Sequence, residues 1–279
     1  MGNYIAFGYS TGNSTGSYSS TEPENTQLER KYGWKRDKPD QRDYVKTFQL
    51  EQLSTPSSVD LRENCPPVYH QDKLGSCTAN AGGFGYQFDC IKQKNSCQFM
   101  PSRLFIYYNE RAVENTIDQD SGASIRDLMK TIGNVGVCRE DQWIYDIEKF
   151  TEKPTEQCYE FAKDHRSIKY HRVNQDQSHI EACLSQGIPV IYGFNVYESF
   201  ESSEVTKTGK VPMPEKNEKL LGGHAVAIVG YDREARPFIV KNSWGSQWGD
   251  NGYCYFPYDY IFDKDLCSDF WTIETVSLN

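Results

Sequence analysis

The 279 residues carry a formal charge of −9 and 37% hydrophobic side chains, enough for one large domain or two modest ones with a buried core. Acidic and basic residues are interspersed, so no one-sided basic surface is available to neutralise phosphates, and neither nucleic acid nor membrane is expected as a partner. The longest apolar runs fall far short of the roughly 20 residues that cross a bilayer.

Residues 1–55 read as a flexible N-terminal extension and a candidate pro-segment. Up to about residue 30 the chain is rich in Ser, Gly, Thr and Asn, with too little apolar content to offset the entropy of ordering. Residues 31–55 mix charge with isolated aromatics, a composition that docks on another surface more readily than it folds alone. No basic start with a following apolar run precedes them, so no secretory signal is expected.

From Pro56 onward the pattern is globular. Cys77, Ala81, Phe84, Phe88 and Ile91 recur at spacings of four and three, which predicts a long helix with one apolar stripe and Ser76 as its cap. Pro101-Ser102 opens a second helix. A third is marked by Ile125, Leu128, Met129 and Ile132 after Ser124. Further on, residues 188–196, 224–231, 238–241, 252–256 and 270–273 are short, β-branched or aromatic and punctuated by Gly, Pro or Asp, which predicts strands. Helices followed by strands, rather than strict alternation, predict an α+β fold with segregated lobes.

Nine cysteines leave at least one unpaired within a monomer, and none forms a Cys-x-x-Cys pair or a spaced Cys/His cluster, so no metal site is expected. Most or all should be reduced thiols. Cys138 and Cys158 could close a loop under oxidising conditions, but small buried apolar side chains are the simpler reading.

Three segments carry chemistry. In Gln71-Asp72-Lys73-Leu74-Gly75-Ser76-Cys77 a cysteine opens a helix, where unsatisfied N–H groups and the positive dipole end favour thiolate over thiol. His224 stands at the mouth of a very apolar strand, a place where a lone histidine is more often structural. The segment Lys241-Asn242-Ser243-Trp244-Gly245-Ser246-Gln247-Trp248-Gly249 sets two tryptophans among glycines directly after an asparagine.

Together these segments resemble the papain family of cysteine peptidases from about Pro56 to the C-terminus. Pro66-Pro67-Val68-Tyr69, Leu74 to Ala81 and Pro101 to Arg111 are most similar to its xylellain-like branch, known from bacteria and large viruses. The separation of Cys77 and His224 falls within the family's span of about 130 to 150 residues, and Asn242 lies slightly beyond it. Leu74 stands where the family usually has a cysteine, and Thr78 where it has a tryptophan.

The resemblance implies a papain-like two-lobed fold over residues 56–279, with a helical lobe, a β-barrel-like lobe and the cleft between them. It implies an endopeptidase acting through a thioester acyl-enzyme without a cofactor. Cys77 would be the nucleophile, His224 the base and acid, Asn242 its orienting partner, and Gln71 with the Cys77 backbone N–H the oxyanion hole. Trp244 would pack on the site, and Gly122 and Ser121 would line the substrate. Partners would be protein or peptide substrates and, through Tyr32, Trp34, Tyr44 and Phe48, an intramolecular inhibitory N-terminal segment lying along the cleft. Location is cytoplasmic by default, or a virus particle for a viral gene. A papain-fold binding protein without turnover, or a ligase, transpeptidase or ubiquitin-type hydrolase on the same triad, are the alternatives.

Overall fold

The computed structural model describes residues 30–49, 54–94 and 99–278. Residues 1–29, the greater part of the expected flexible tail, lie outside that range.

Helix α1, Cys77–Lys92, is the axis of the molecule. The sequence predicts one apolar stripe, yet α1 is buried on all sides from Cys77 to Cys90. Its glycines make this possible. A Cβ at Gly82 would stand 2.3 Å from the Leu128 side chain, and one at Gly85 would stand 3.1 Å from Ile191, so the helix is clasped from both lobes. Helices α2, Arg103–Glu114, and α3, Ile125–Asn134, pack beside it on one flank. Each begins as the sequence predicts: the Ser102 hydroxyl accepts from Phe105 N, and the Ser124 hydroxyl from Asp127 N. Ser76 occupies the N-cap position of α1 but makes no side-chain cap. Its hydroxyl pairs with the Tyr145 hydroxyl at 2.5 Å instead.

The other flank is an antiparallel sheet. Strands β4 (His165–Arg172), β5 (Val190–Tyr197), β6 (Leu220–Asp232), β7 (Pro237–Lys241), β8 (Tyr253–Pro257) and β9 (Cys267–Leu278) pair in the order β4-β9-β5-β6-β7-β8, and β2 (Ser58–Asp60) joins β6. The expected helical and β lobes are thus both present, with α1 between them. Strand β4 was not expected. Its sequence His165-Arg166-Ser167-Ile168-Lys169-Tyr170-His171-Arg172 suits an edge strand that turns charge to solvent, and it lacks the apolar run that marks a central strand.

Residues 30–49 run across the protein surface as an arm. Its second half is bolted down by charge. The Asp37 carboxylate accepts from Trp271 Nε1 at 2.9 Å and Arg172 Nη1 at 2.9 Å. Arg172 also reaches Asp269 at 2.9 Å and Asp43 at 3.2 Å, and Arg126 grips Asp43 with both ends of its fork at 2.8 and 2.7 Å. Tyr44, expected as an anchor, is 77% exposed. Asp43 and Lys46 on either side hold the chain without it, through Arg126, Arg172 and Glu274. Phe48 packs edge-on against His179.

Among the described residues seven cysteines are free thiols, Cys138 and Cys158 included, and Cys90 is disulfide-bonded. The expectation of reduced cysteines therefore holds for most of them. Among the described residues no group of three His, Cys, Asp or Glu is placed to hold a metal, and no helix is long and apolar enough to cross a membrane.

Candidate active site

Cys77 is the first residue of α1, and the strand β6 that carries His224 packs along that helix. The two lobes meet here, where the N-terminus of α1 lies against the interior strand β6. His224 Nε2 lies 2.8 Å from Asn242 Oδ1, across the turn that follows β7. The second ring nitrogen, Nδ1, is buried without a hydrogen-bond partner. Trp244 stacks on the imidazole, with ring centroids 4.9 Å apart and planes at 27°, and Trp248 and Phe200 pack around that pair. Gln71 is pinned from three directions. Its Oε1 accepts from the Ser243 hydroxyl at 2.6 Å, its backbone carbonyl accepts from Tyr145 at 2.7 Å, and its backbone N–H donates to Ser243 O at 2.9 Å. Its Nε2 donates to Leu74 O at 3.1 Å and, more weakly, to Lys31 O at 3.4 Å.

The first half of the arm covers this site. Gly33 fits directly against Gly75, where a Cβ would stand 1.7 Å from the Gly75 carbonyl oxygen. Trp34 and Lys35 form β1, which pairs in parallel with β3, Ala123–Ser124. The Trp34 indole is 7% exposed and fills a pocket floored by two glycines; a Cβ on Gly193 would fall 1.9 Å from it, and one on Gly223 2.7 Å. On the other side of Cys77 the Arg30 guanidinium lies 4.1 Å above the Trp244 ring and pairs with Glu201, which also accepts the Tyr32 hydroxyl.

Burial sets the protonation of the site. Desolvation pushes the Cys77 thiol up to about 11, against backbone hydrogen bonds with Ala225 and Gly33 that lower it. Desolvation also brings His224 down to about 4, with the Asn242 bond raising it and the Arg30 charge lowering it. In this covered state the pair is thiol and neutral imidazole, not the thiolate that the helix terminus alone favours.

Residues 55–261, more than half of the chain, match the family model described as papain family cysteine protease. The chain belongs to the papain family. An uncharacterised peptidase C1-like protein of Acanthamoeba polyphaga mimivirus is 46% identical, over 91% of this chain and 90% of that protein. The crystal structure of xylellain, a cysteine protease from Xylella fastidiosa, superposes with a TM-score of 0.82 at 42% identity, covering 88% of this chain and 97% of xylellain. A procathepsin B from Trypanosoma congolense shares the fold, with a TM-score of 0.71 at 17% identity over 91% of this chain and 87% of its own. The protein is therefore a papain-like cysteine peptidase, a hydrolase, near the xylellain-like branch.

Some of the expected site residues sit differently from what the family resemblance implies. The arm backbone is paired by Ala123, whose N–H donates to Gly33 O at 2.8 Å. Gly122, with φ at +68°, supplies clearance: a Cβ there would stand 1.9 Å from the same oxygen. The Ser121 hydroxyl is engaged in its own turn, with Thr116 at 2.8 Å and Gly122 O at 3.1 Å. Thr78, in place of the family's tryptophan, donates to Glu110 at 2.9 Å. Burial holds that carboxyl well above the usual range. Arg30, Gly33 and Glu201 were not singled out by sequence reasoning. The one available signal was the basic-aromatic run Arg30-Lys31-Tyr32-Gly33-Trp34-Lys35-Arg36 ahead of an otherwise acidic chain.

Proposed function

We propose that the protein is an endopeptidase held inactive by its own N-terminal arm, and that it cleaves peptides through a Cys77-His224-Asn242 triad. The observation that carries this reading is the His224 Nε2 bond to Asn242, which leaves Nδ1 as the ring nitrogen free to exchange a proton with Cys77. With the arm displaced, water and the α1 dipole reach the sulfur and the desolvation that keeps both groups neutral is relieved. Cys77 then attacks the substrate carbonyl as thiolate. The bond to the leaving nitrogen breaks as the imidazolium gives it a proton, and the thioester that remains is hydrolysed by a water deprotonated by the same ring. Asn242 fixes the tautomer and ring plane, and Trp244 shields them from water. Gln71 Nε2 and the Cys77 N–H would hold the oxyanion. In the covered state the amide of Gln71 already meets a carbonyl oxygen, that of Lys31.

Chain polarity explains why the arm inhibits without being consumed. The leaving amine must lie beside His224, hence on the Trp244 side, so a substrate runs from the Ala123–Ser124 edge toward Trp244. The arm runs the other way: Arg30 and Tyr32 lie at Trp244, Gly33 at Cys77, and Trp34 and Lys35 on the Ala123–Ser124 edge. Attack on a reversed peptide would leave the departing nitrogen remote from the imidazolium. The division at residue 55 is thus better drawn inside the arm, with 30–36 as the inhibitory cover and 37–49 as a belt retained by its ion pairs. Labelling of Cys77 by an epoxysuccinyl peptide, slow in the full chain and fast once residues 30–36 are displaced, tests the reading. Equal rates would remove the inhibitory role, and no labelling in either form would remove the nucleophile.

A further inference from the structure

One carboxylate beside the cleft has no part in the chemistry above. Glu201 ends the 3-10 turn Glu198–Glu201 that follows β5, and its side chain is only 10% exposed. Among the described residues its hydrogen-bond partners are the Arg30 guanidinium and the Tyr32 hydroxyl, both supplied by the arm. Arg30 at the same time lies over the Trp244 ring, 4.1 Å from its centroid. When the arm leaves, Glu201 loses both partners at once and stands as an unpaired carboxylate next to an open indole face.

We propose that Glu201 and the face of Trp244 form an arginine subsite that selects substrates by a side chain on the C-terminal side of the scissile bond. The proposal rests on the peptidase reading, because it is the need of the leaving nitrogen for His224 that assigns the Trp244 side to the C-terminal half of the substrate. The chemistry singles out guanidinium over ammonium: a planar, weakly hydrated cation can stack on an indole and fork a carboxylate in one pose, whereas an ammonium can only do the second. Two further carboxylates meet the arm along the cleft. Asp120 holds Lys31 at 3.1 Å and Glu114 holds Lys35 at 2.6 Å, so the arm enters the cleft as a cationic strand meeting three carboxylates. A cationic peptide released from competition with the arm meets the same three.

The test uses the full-length chain with the arm displaced by Gly33→Leu, which forces a side chain into the Gly75 carbonyl, with Trp34→Ala added if Cys77 labelling stays slow. Quenched-fluorescence peptides that differ only in carrying Arg, Lys, citrulline or Ala at the first or second position after the scissile bond are compared by kcat/KM. At one of these positions Arg should exceed its neutral isostere citrulline by about tenfold or more, with Lys between them, as befits a charge-assisted bond beside an aromatic face. In the same background Glu201→Gln should bring the Arg and citrulline peptides to the same rate while Cys77 still takes the epoxysuccinyl label, a split that a general folding defect would not produce. Equal rates for Arg and citrulline in an enzyme that cleaves both would overturn the subsite and spare the peptidase reading. An enzyme that takes the epoxysuccinyl label but cleaves no peptide would overturn the reading beneath it.

Discussion

Trp34→Ala isolates the strongest apolar grip of the arm. The indole is buried in a pocket whose floor is Gly193 and Gly223, and a Cβ on either glycine would meet Trp34 atoms before any others. Truncating a buried tryptophan costs about 3 to 5 kcal/mol. Here the loss falls on the covered state alone, because the side chain is in water once the arm lifts. At the lower figure the covered-to-open ratio falls by about a hundredfold. The second-order rate of Cys77 alkylation by a small neutral reagent should rise by up to that factor, reaching a ceiling when the arm is mostly open, and the rate on a short peptide should rise in parallel. Far-ultraviolet circular dichroism and the melting transition of the body should change little, since Asp37 and Asp43 keep residues 37–49 in place. Unchanged alkylation in a folded Trp34→Ala protein would mean that the arm does not control access to Cys77.

Other perturbations separate the parts. Gln71→Ala should lower kcat by roughly 10² to 10³ with little change in KM, because its bond strengthens only as the oxyanion forms; an unchanged kcat in steady-state assays removes it from the oxyanion hole. Arg172→Met leaves the buried Asp37 and Asp269 carboxylates without their shared cation, at a cost of about 3 kcal/mol, a fall of roughly 6 to 12 °C in Tm by calorimetry; an unchanged Tm would make the belt decorative. In a Cys77→Ala protein no thiolate shares the proton of His224, which is held near 4 in the covered state against an ordinary value of 6.5, so between those values the open form binds a proton that the covered form does not. Closure of that variant therefore weakens as pH falls from about 6.5 to 4 and then levels off, by about 2 kcal/mol at pH 5 relative to pH 7. The His224 share is read as the difference from the same protein with His224→Gln added. Hydrogen exchange of residues 30–36, corrected for intrinsic rates, should show about twentyfold more opening at pH 5 in the first variant than in the second. Equal behaviour would contradict the pH argument.

Much of this was legible in the sequence because its signals are local. A cysteine after Gly75-Ser76 and ahead of spacings of four and three marks a helix start, and Ser102 and Ser124 mark two more; all three helices begin where expected. Four of the five predicted strands lie within a few residues of β5, β6, β7 and β8, and the fifth falls inside β9. What escaped depends on contacts between distant segments. The glycines of α1 read as gaps in a stripe until Leu128 and Ile191 are seen to fill them. Gly33 has no periodicity to announce it, and its lack of a side chain matters only because Gly75 lies against it. Tyr44 and Trp34 look equally good as anchors in a list of aromatics, yet only Trp34 finds a glycine-floored pocket. Glu201 is one acid among many until Arg30, far away in sequence, reaches it.

The nucleophile can be tested without knowing the natural substrate. Full-length protein carrying Gly33→Leu is treated with an epoxysuccinyl peptide, digested and mapped by mass spectrometry, and the same protein with Cys77→Ala is assayed for peptide hydrolysis. A single thioether adduct on Cys77, stoichiometric with the loss of activity, and no hydrolysis by a folded Cys77→Ala protein are the expected results. Hydrolysis that persists without Cys77, or an inactivating adduct on another cysteine, would contradict the account.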